Sequence, residues 1–117
     1  MSPVLTYKLT LNKLHCYRLD EEGGDEVFLT MNGEKIWPAD HKYQEVTEGS
    51  VDIHHEVLAV MPDTLVTIEL WDYDLLTPND KLGEFNMLIN ERGGPFTTDL
   101  KVAPGEEAKY SLEWEVH

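Results

Sequence analysis

The chain has 117 residues, enough for one hydrophobic core and too few for two, and its 41% hydrophobic and 27% charged content is that of a folded chain rather than a disordered one. Its 23 acidic and 9 basic residues give a formal charge of −14, with no two basic residues adjacent, which excludes nucleic acid as a partner because phosphate binding calls for clustered Lys and Arg. The single cysteine, Cys16, excludes an internal disulfide and a zinc site built on several thiolates.

No apolar run approaches a membrane span, and Met1-Ser2-Pro3-Val4 lacks the basic-then-apolar layout of a signal peptide. The expectation is therefore a single domain over residues 1–117, cytoplasmic and at most peripheral at a membrane.

In chain order, Leu5, Tyr7, Leu9 and Leu11 alternate with Thr6, Lys8, Thr10 and Asn12, the period of a strand with one wet face. The parity slips at Lys13, after which Leu14 and Cys16 carry the apolar positions, which predicts a bulge or bend. Val27, Leu29 and Met31 lead into Asn32-Gly33, a tight-turn signal, and Lys35-Ile36-Trp37 returns as a strand until Pro38. The polar, acidic stretch from Ala39 to Ser50 reads as a long loop.

Val51 to Met61 reads as helix or strand on pattern alone. Val51, Ile53, Val57, Ala59 and Met61 share one parity, and the β-branched content followed by Pro62-Asp63 favours strand. Val66, Ile68 and Leu70 alternate inward and continue into Asp72 and Asp74 on the same parity. Further strands are expected at Gly83–Ile89, Phe96–Val102 and Lys109–Val116, the last with Tyr110, Leu112, Trp114 and Val116 on one face. The whole is an all-β chain, an antiparallel β-sandwich of about eight strands with loops gathered at its two ends.

The most informative segment runs from Leu70 to Glu84, where Asp72, Asp74 and Asp80 stand at i, i+2 and i+8 as a strand enters a loop. Residues i and i+2 of a strand point to the same side, so Asp72 and Asp74 are expected to project together, with the Thr77-Pro78-Asn79 loop curling Asp80 back toward them. Three crowded carboxylates repel one another unless a cation sits among them, and Ca²⁺ accepts carboxylates, carbonyls and water in flexible geometry. A solvated acidic turn is the alternative on spacing alone.

With these residues in place the chain resembles a C2 domain over nearly its whole length. The third apical loop of that family carries two aspartates around an aromatic, a third six residues on, and then Gly-Glu; here stand Asp72-Tyr73-Asp74, Asp80 and Gly83-Glu84. The family's first loop supplies two more aspartates, matched by Asp20 and Asp25 around Glu21-Glu22-Gly23-Gly24, with Glu26-Val27-Phe28 opening the strand. That loop is one residue short of the usual spacing, so Glu21 is an alternative to Asp20, and Glu26 replaces the usual proline. The resemblance implies a calcium cup in which Asp25, Asp72 and Asp74 bridge or flank the ions, with Asp20 and Asp80 at its edges.

Other chemistry finds little support. His15 and Cys16 are adjacent in a strand and face opposite ways, as do His54 and His55. No nucleophile, phosphate-cradling glycine loop or cofactor fingerprint stands near the carboxylates, so the chain does not read as an enzyme. Trp37, Trp71 and Trp114 read as packing residues.

Two functional classes follow. In the first, the chain is a calcium-dependent module that targets phospholipid membranes, with Leu75 and Leu76 at the loop tip making the contact. In the second, it is a protein-interaction or assembly subunit whose loops calcium stiffens. Two bound Ca²⁺ would change the charge only from −14 to −10, and Val51 to Met61 lacks the Lys and Arg that some relatives use for phosphoinositides.

Overall fold

The computed structural model describes residues 5–117, and its long strands follow the inward and outward alternation of the sequence. There are ten: β1 (Tyr7–Arg18), β2 (Asp25–Met31), β3 (Glu34–Trp37), β4 (Gln44–Val46), β5 (Gly49–Val60), β6 (Thr64–Asp72), β7 (Asp80–Ile89), β8 (Gly93–Asp99), β9 (Lys101–Val102) and β10 (Lys109–Val116). One sheet has the order β5-β1-β10-β8, the other β3-β2-β6-β7-β9 with β4 also on β2, and every pairing is antiparallel. The chain is thus the all-β sandwich expected. It exceeds eight strands because two short ones lie where pattern is silent: β4 within the acidic stretch that reads as loop, and β9 in a segment whose pattern reads as one strand through Val102.

The sheets close on one core. Leu9, Leu11, Leu14 and Leu112 from the first and Leu29, Ile68, Leu70 and Phe85 from the second are fully buried. Each such side chain contributes about 1.5–3 kcal/mol relative to exposure, so this core dominates the favourable side of folding. The parity slip in β1 is a bulge: the register with β10 and β5 shifts between Leu11 and Lys13, which brings Leu14 and Cys16 inward. Asn32 and Gly33 both adopt positive φ, 54° and 81°, as a two-residue hairpin turn between right-twisted strands requires.

In β5 the expected parity fails. Its partnering with β1 jumps from His55 to Asp52 and from Val60 to Val57, and His54 and Ala59 take positive φ of 52° and 57°. Each irregularity turns the face, so Ala59 and Met61 are exposed while Val60 is buried. Periodicity cannot foresee two slips in one strand. Trp37 and Trp114 are buried, and Trp71 stacks on Phe28 while its Nε1 donates to Thr30 Oγ1 at 3.0 Å, so all three tryptophans pack. Cys16 points inward while His15 stacks on Tyr17, which leaves no pair between them.

β1 and β6 run toward the same end, where they hand over to β2 and β7. Loops 19–24 and 73–79 therefore lie side by side, with 103–108 before β10 at the same end. Stacking of Tyr43 on Tyr73, centroids 5.1 Å apart, adds segment 38–43 to the cluster.

Candidate metal centre

Asp25 opens β2 fully buried, and its carboxylate organises the first loop. Oδ1 accepts the Glu21 N–H at 3.0 Å, and Oδ2 accepts the Asp20 N–H at 3.0 Å and the Tyr110 hydroxyl at 2.6 Å. A carboxylate offers about four acceptor sites, so three of Asp25's are already used. Gly23 and Gly24, at φ of 92° and 127°, let the loop turn back onto that carboxylate.

Asp72 ends β6 at 5% exposure, Oδ1 accepting the Glu26 N–H at 3.0 Å. Burial pushes its carboxyl up to about 7, the Glu26 N–H opposes the rise, and the negative charges of Glu21 and Asp25 add to it. Asp72 stands opposite Asp80 in the β6–β7 register, so the structure brings these two across from one another, with Asp80 exposed at the rim.

Asp74 departs from expectation. Pairing stops at Asp72, and beyond it the free amides of the loop capture the side chain: Asp74 Oδ1 accepts the N–H of Leu76 at 2.9 Å and of Thr77 at 3.2 Å. Its own N–H donates to Asn79 Oδ1 at 2.8 Å. These bonds, that from Leu76 foremost, hold its carboxyl below the usual range. Asp74 is thus exposed, with Oδ1 held by the amides of its own loop. An i, i+2 argument holds only while the backbone remains a strand.

Asp20 sits at the other side of the cup, Oδ1 accepting the Glu107 N–H at 2.9 Å. Its carboxyl shares a hydrogen bond with Glu106, which is pushed up to about 7 by that bond first, then by burial and by the charges of Asp20, Asp80 and Glu21. Glu106 is a member of the cluster that sequence reasoning missed. The only signal was an acidic pair in the loop before the last strand, and nothing in its spacing tied it to Asp20. Glu21, the alternative to Asp20, bears on both Asp72 and Glu106.

Between the loops lies a cavity of about 590 Å³ lined by Glu21, Glu26, Tyr43, Tyr73, Asp74 and the tip leucines, with Lys42 over the Tyr73 ring at 5.9 Å. Among the described residues no three His, Cys, Asp or Glu side chains converge on one point as ligands of a single ion. The donor set is nevertheless all oxygen, the kind a hard cation takes. Two carboxyls stand well above their ordinary range: Asp72, through burial with the charges of Glu21 and Asp25 adding to it, and Glu106, through its hydrogen bond to Asp20 first, then burial, with Asp20, Asp80 and Glu21 adding to it. That electrostatic imbalance fits a divalent cation.

The sequence matches no protein-family model, and a search of curated proteins finds no match. Solved structures do match. A C2 domain of a plant extended synaptotagmin 1 superposes with a TM-score of 0.60 at 16% identity, covering 99% of this chain and 95% of that one. A second structure, described as a C2 domain, gives 0.52 at 13% identity over 95% of this chain and 96% of that one. The chain therefore has the C2 fold, its likeness to both neighbours spanning nearly the whole length.

Proposed function

We propose that the chain is a non-catalytic, calcium-binding C2-type module that attaches reversibly to phospholipid membranes through its apical loops. The observation that carries the proposal is the tip of the 73–79 loop, where Leu75 and Leu76 are 79% and 90% exposed directly beside the carboxylate cluster. Two leucines held in water next to charged groups gain only by meeting an apolar phase. Full burial is worth about 1.5–3 kcal/mol each, so shallow insertion gives weak, reversible attachment. Asp25, Asp72 and Asp74, with Asp20 or Glu21 and Asp80 at the edges, would hold Ca²⁺. When bound, Ca²⁺ supplies positive charge that neutralises the cup and attracts anionic phosphate. The chain's own contribution is to aim the acids and the leucines at the same surface.

Liposome sedimentation tests this reading. The protein is expected to pellet with phosphatidylserine-containing vesicles in Ca²⁺ and to remain in the supernatant with chelator. Leu75→Ser with Leu76→Ser should lose the vesicles while retaining calcium in calorimetric titration. Failure of the unmodified protein to pellet at saturating Ca²⁺ would overturn the membrane reading.

The second reading, a protein-interaction or assembly subunit, draws on a different observation. Leu65 and Leu88 are direct cross-strand partners on the outer face of β6 and β7, both more than half exposed and far from the acidic loops.

A further inference from the structure

Of the nine basic residues, seven are engaged. Lys8, Lys13, Arg18 and Lys81 pair with carboxylates, Lys35 donates to backbone carbonyls, and Lys42 and Arg92 lie over tyrosine rings. Lys101 and Lys109 have no such partner among the described residues. In a chain of charge −14, two unengaged lysines close together are the exception.

They flank one place in the fold. β8 is the last strand of the first sheet and β9 the last of the second, and the chain crosses between them at Leu100, whose N–H donates to the Tyr110 carbonyl at 2.9 Å. On one side of the crossing is a groove of about 400 Å³, with Lys109 and Asp99 at its rim and Leu100, Val102 and the ring of Tyr17 forming its apolar part. On the other side, past Val102, a smaller groove of about 180 Å³ carries Lys101, with Lys81 and Glu84 already paired to each other. Tyr17 and Val102 are exposed although they are apolar, and β9 has a strand neighbour on one side only.

The crossing is a built feature. A Cβ at Gly83 would collide with the Lys101 carbonyl oxygen and stand 2.9 Å from the Leu100 side chain, so β9 is seated against β7 only because position 83 is glycine. That close seating fixes Lys101 and Val102 at the edge.

We propose that this edge is a docking site for an extended acidic peptide segment of a protein partner, an aliphatic or aromatic residue entering the groove over Val102 and Tyr17 while flanking Asp or Glu side chains meet Lys101 and Lys109. Charge complementarity selects the occupant, since the surface elsewhere is dominated by carboxylates and repels acidic segments. The single-sided β9 suits an extended chain laid along a sheet edge. The site adjoins loop 103–108 but uses neither the tip leucines nor the carboxylates assigned to calcium.

The test is a selection of displayed random short peptides on the wild-type protein, counter-selected on Lys101→Glu/Lys109→Glu, whose substitutions are exposed and whose folding is verified by circular dichroism. Enriched peptides should carry acidic residues around a large apolar one. Once synthesised, they should bind the double variant about tenfold or more weakly, and in the wild type shift the amide resonances of Lys101, Val102 and Tyr17. Val102→Asp should weaken binding while leaving both lysines in place. Peptides that bind the variant equally well, that shift only the apical loops, or that fail to enrich would overturn the proposal. So would phosphatidylserine vesicles competing for the same lysines, which would make the edge a lipid contact.

Discussion

Tyr110 and Asp25, 85 residues apart, meet in the interior, where the phenol donates a 2.6 Å hydrogen bond to Asp25 Oδ2 beneath the acidic loops. Burial pushes the Tyr110 hydroxyl far above its ordinary value and Asp25 adds to the shift, so it remains a donor at every physiological pH. The last strand thereby fixes the carboxylate on which the first loop is hung. Tyr110→Phe should cost roughly 1.5–3 kcal/mol in urea unfolding, the range for a hydrogen bond to a charged group, while the fold persists. A change within a few tenths would mean that the bond is not made.

The acids differ in role, and substitution by Asn separates them. Asp72→Asn with Asp74→Asn keeps an acceptor oxygen for the Glu26, Leu76 and Thr77 amides, so the calcium-free fold should be intact or slightly more stable as repulsion is relieved. Calcium binding in calorimetric titration should vanish.

Asp25→Asn behaves differently because both oxygens already accept donors. An amide NH₂ facing a donor leaves a buried group unsatisfied, at a cost of about 1–3 kcal/mol. Thermal unfolding without calcium should show Asp25→Asn destabilised and the Asp72/Asp74 variant not.

Asp72 also predicts a pH dependence. Its folded value of about 7 lies above the ordinary 3.8, so between those values the native state binds the proton more tightly than the unfolded chain does. Its contribution to stability is present below the unfolded value and is lost as pH rises through about 7. In the absence of calcium, the stability difference between wild type and Asp72→Asn should therefore fall from pH 4 toward pH 7. A flat difference would show that the folded carboxyl is not raised.

Calcium should reverse that loss. A ligand bound only by the folded form stabilises it by about 2.7 kcal/mol at a hundredfold excess over its dissociation constant. Mg²⁺, which demands near-octahedral geometry, should raise the melting temperature less. An equal melting temperature in millimolar Ca²⁺ and in chelator would count against the site.

At the β7–β9 edge, Gly83→Ala should displace β9, because the added carbon meets the Lys101 backbone rather than a yielding side chain. A loss of about 1–3 kcal/mol in thermal unfolding is expected, as for other overpacked positions. An unchanged melting temperature would indicate that β9 is loosely held.

The sandwich, its bulge at Lys13, the Asn32-Gly33 turn and the location of the acidic loops were all legible in the order of residues. These are local signals: alternation sets a strand's buried face, a parity slip marks a bulge, and a turn type demands positive φ at two adjacent positions. Leu75 and Leu76 were placed at a loop tip by the resemblance to a C2 domain rather than by alternation, and both are exposed there. How the acids are held became visible only once the strands were packed. Asp74 is held by its own loop, which offers amides once pairing ends at Asp72, and Glu106 joins Asp20 because β10 pairs with β1. Tyr110, which alternation marked only as an inward residue, becomes the anchor of Asp25 through that same pairing. The two slips of β5 and the seating of β9 on Gly83 were likewise beyond pattern, because each depends on what a neighbouring strand, distant in sequence, leaves room for.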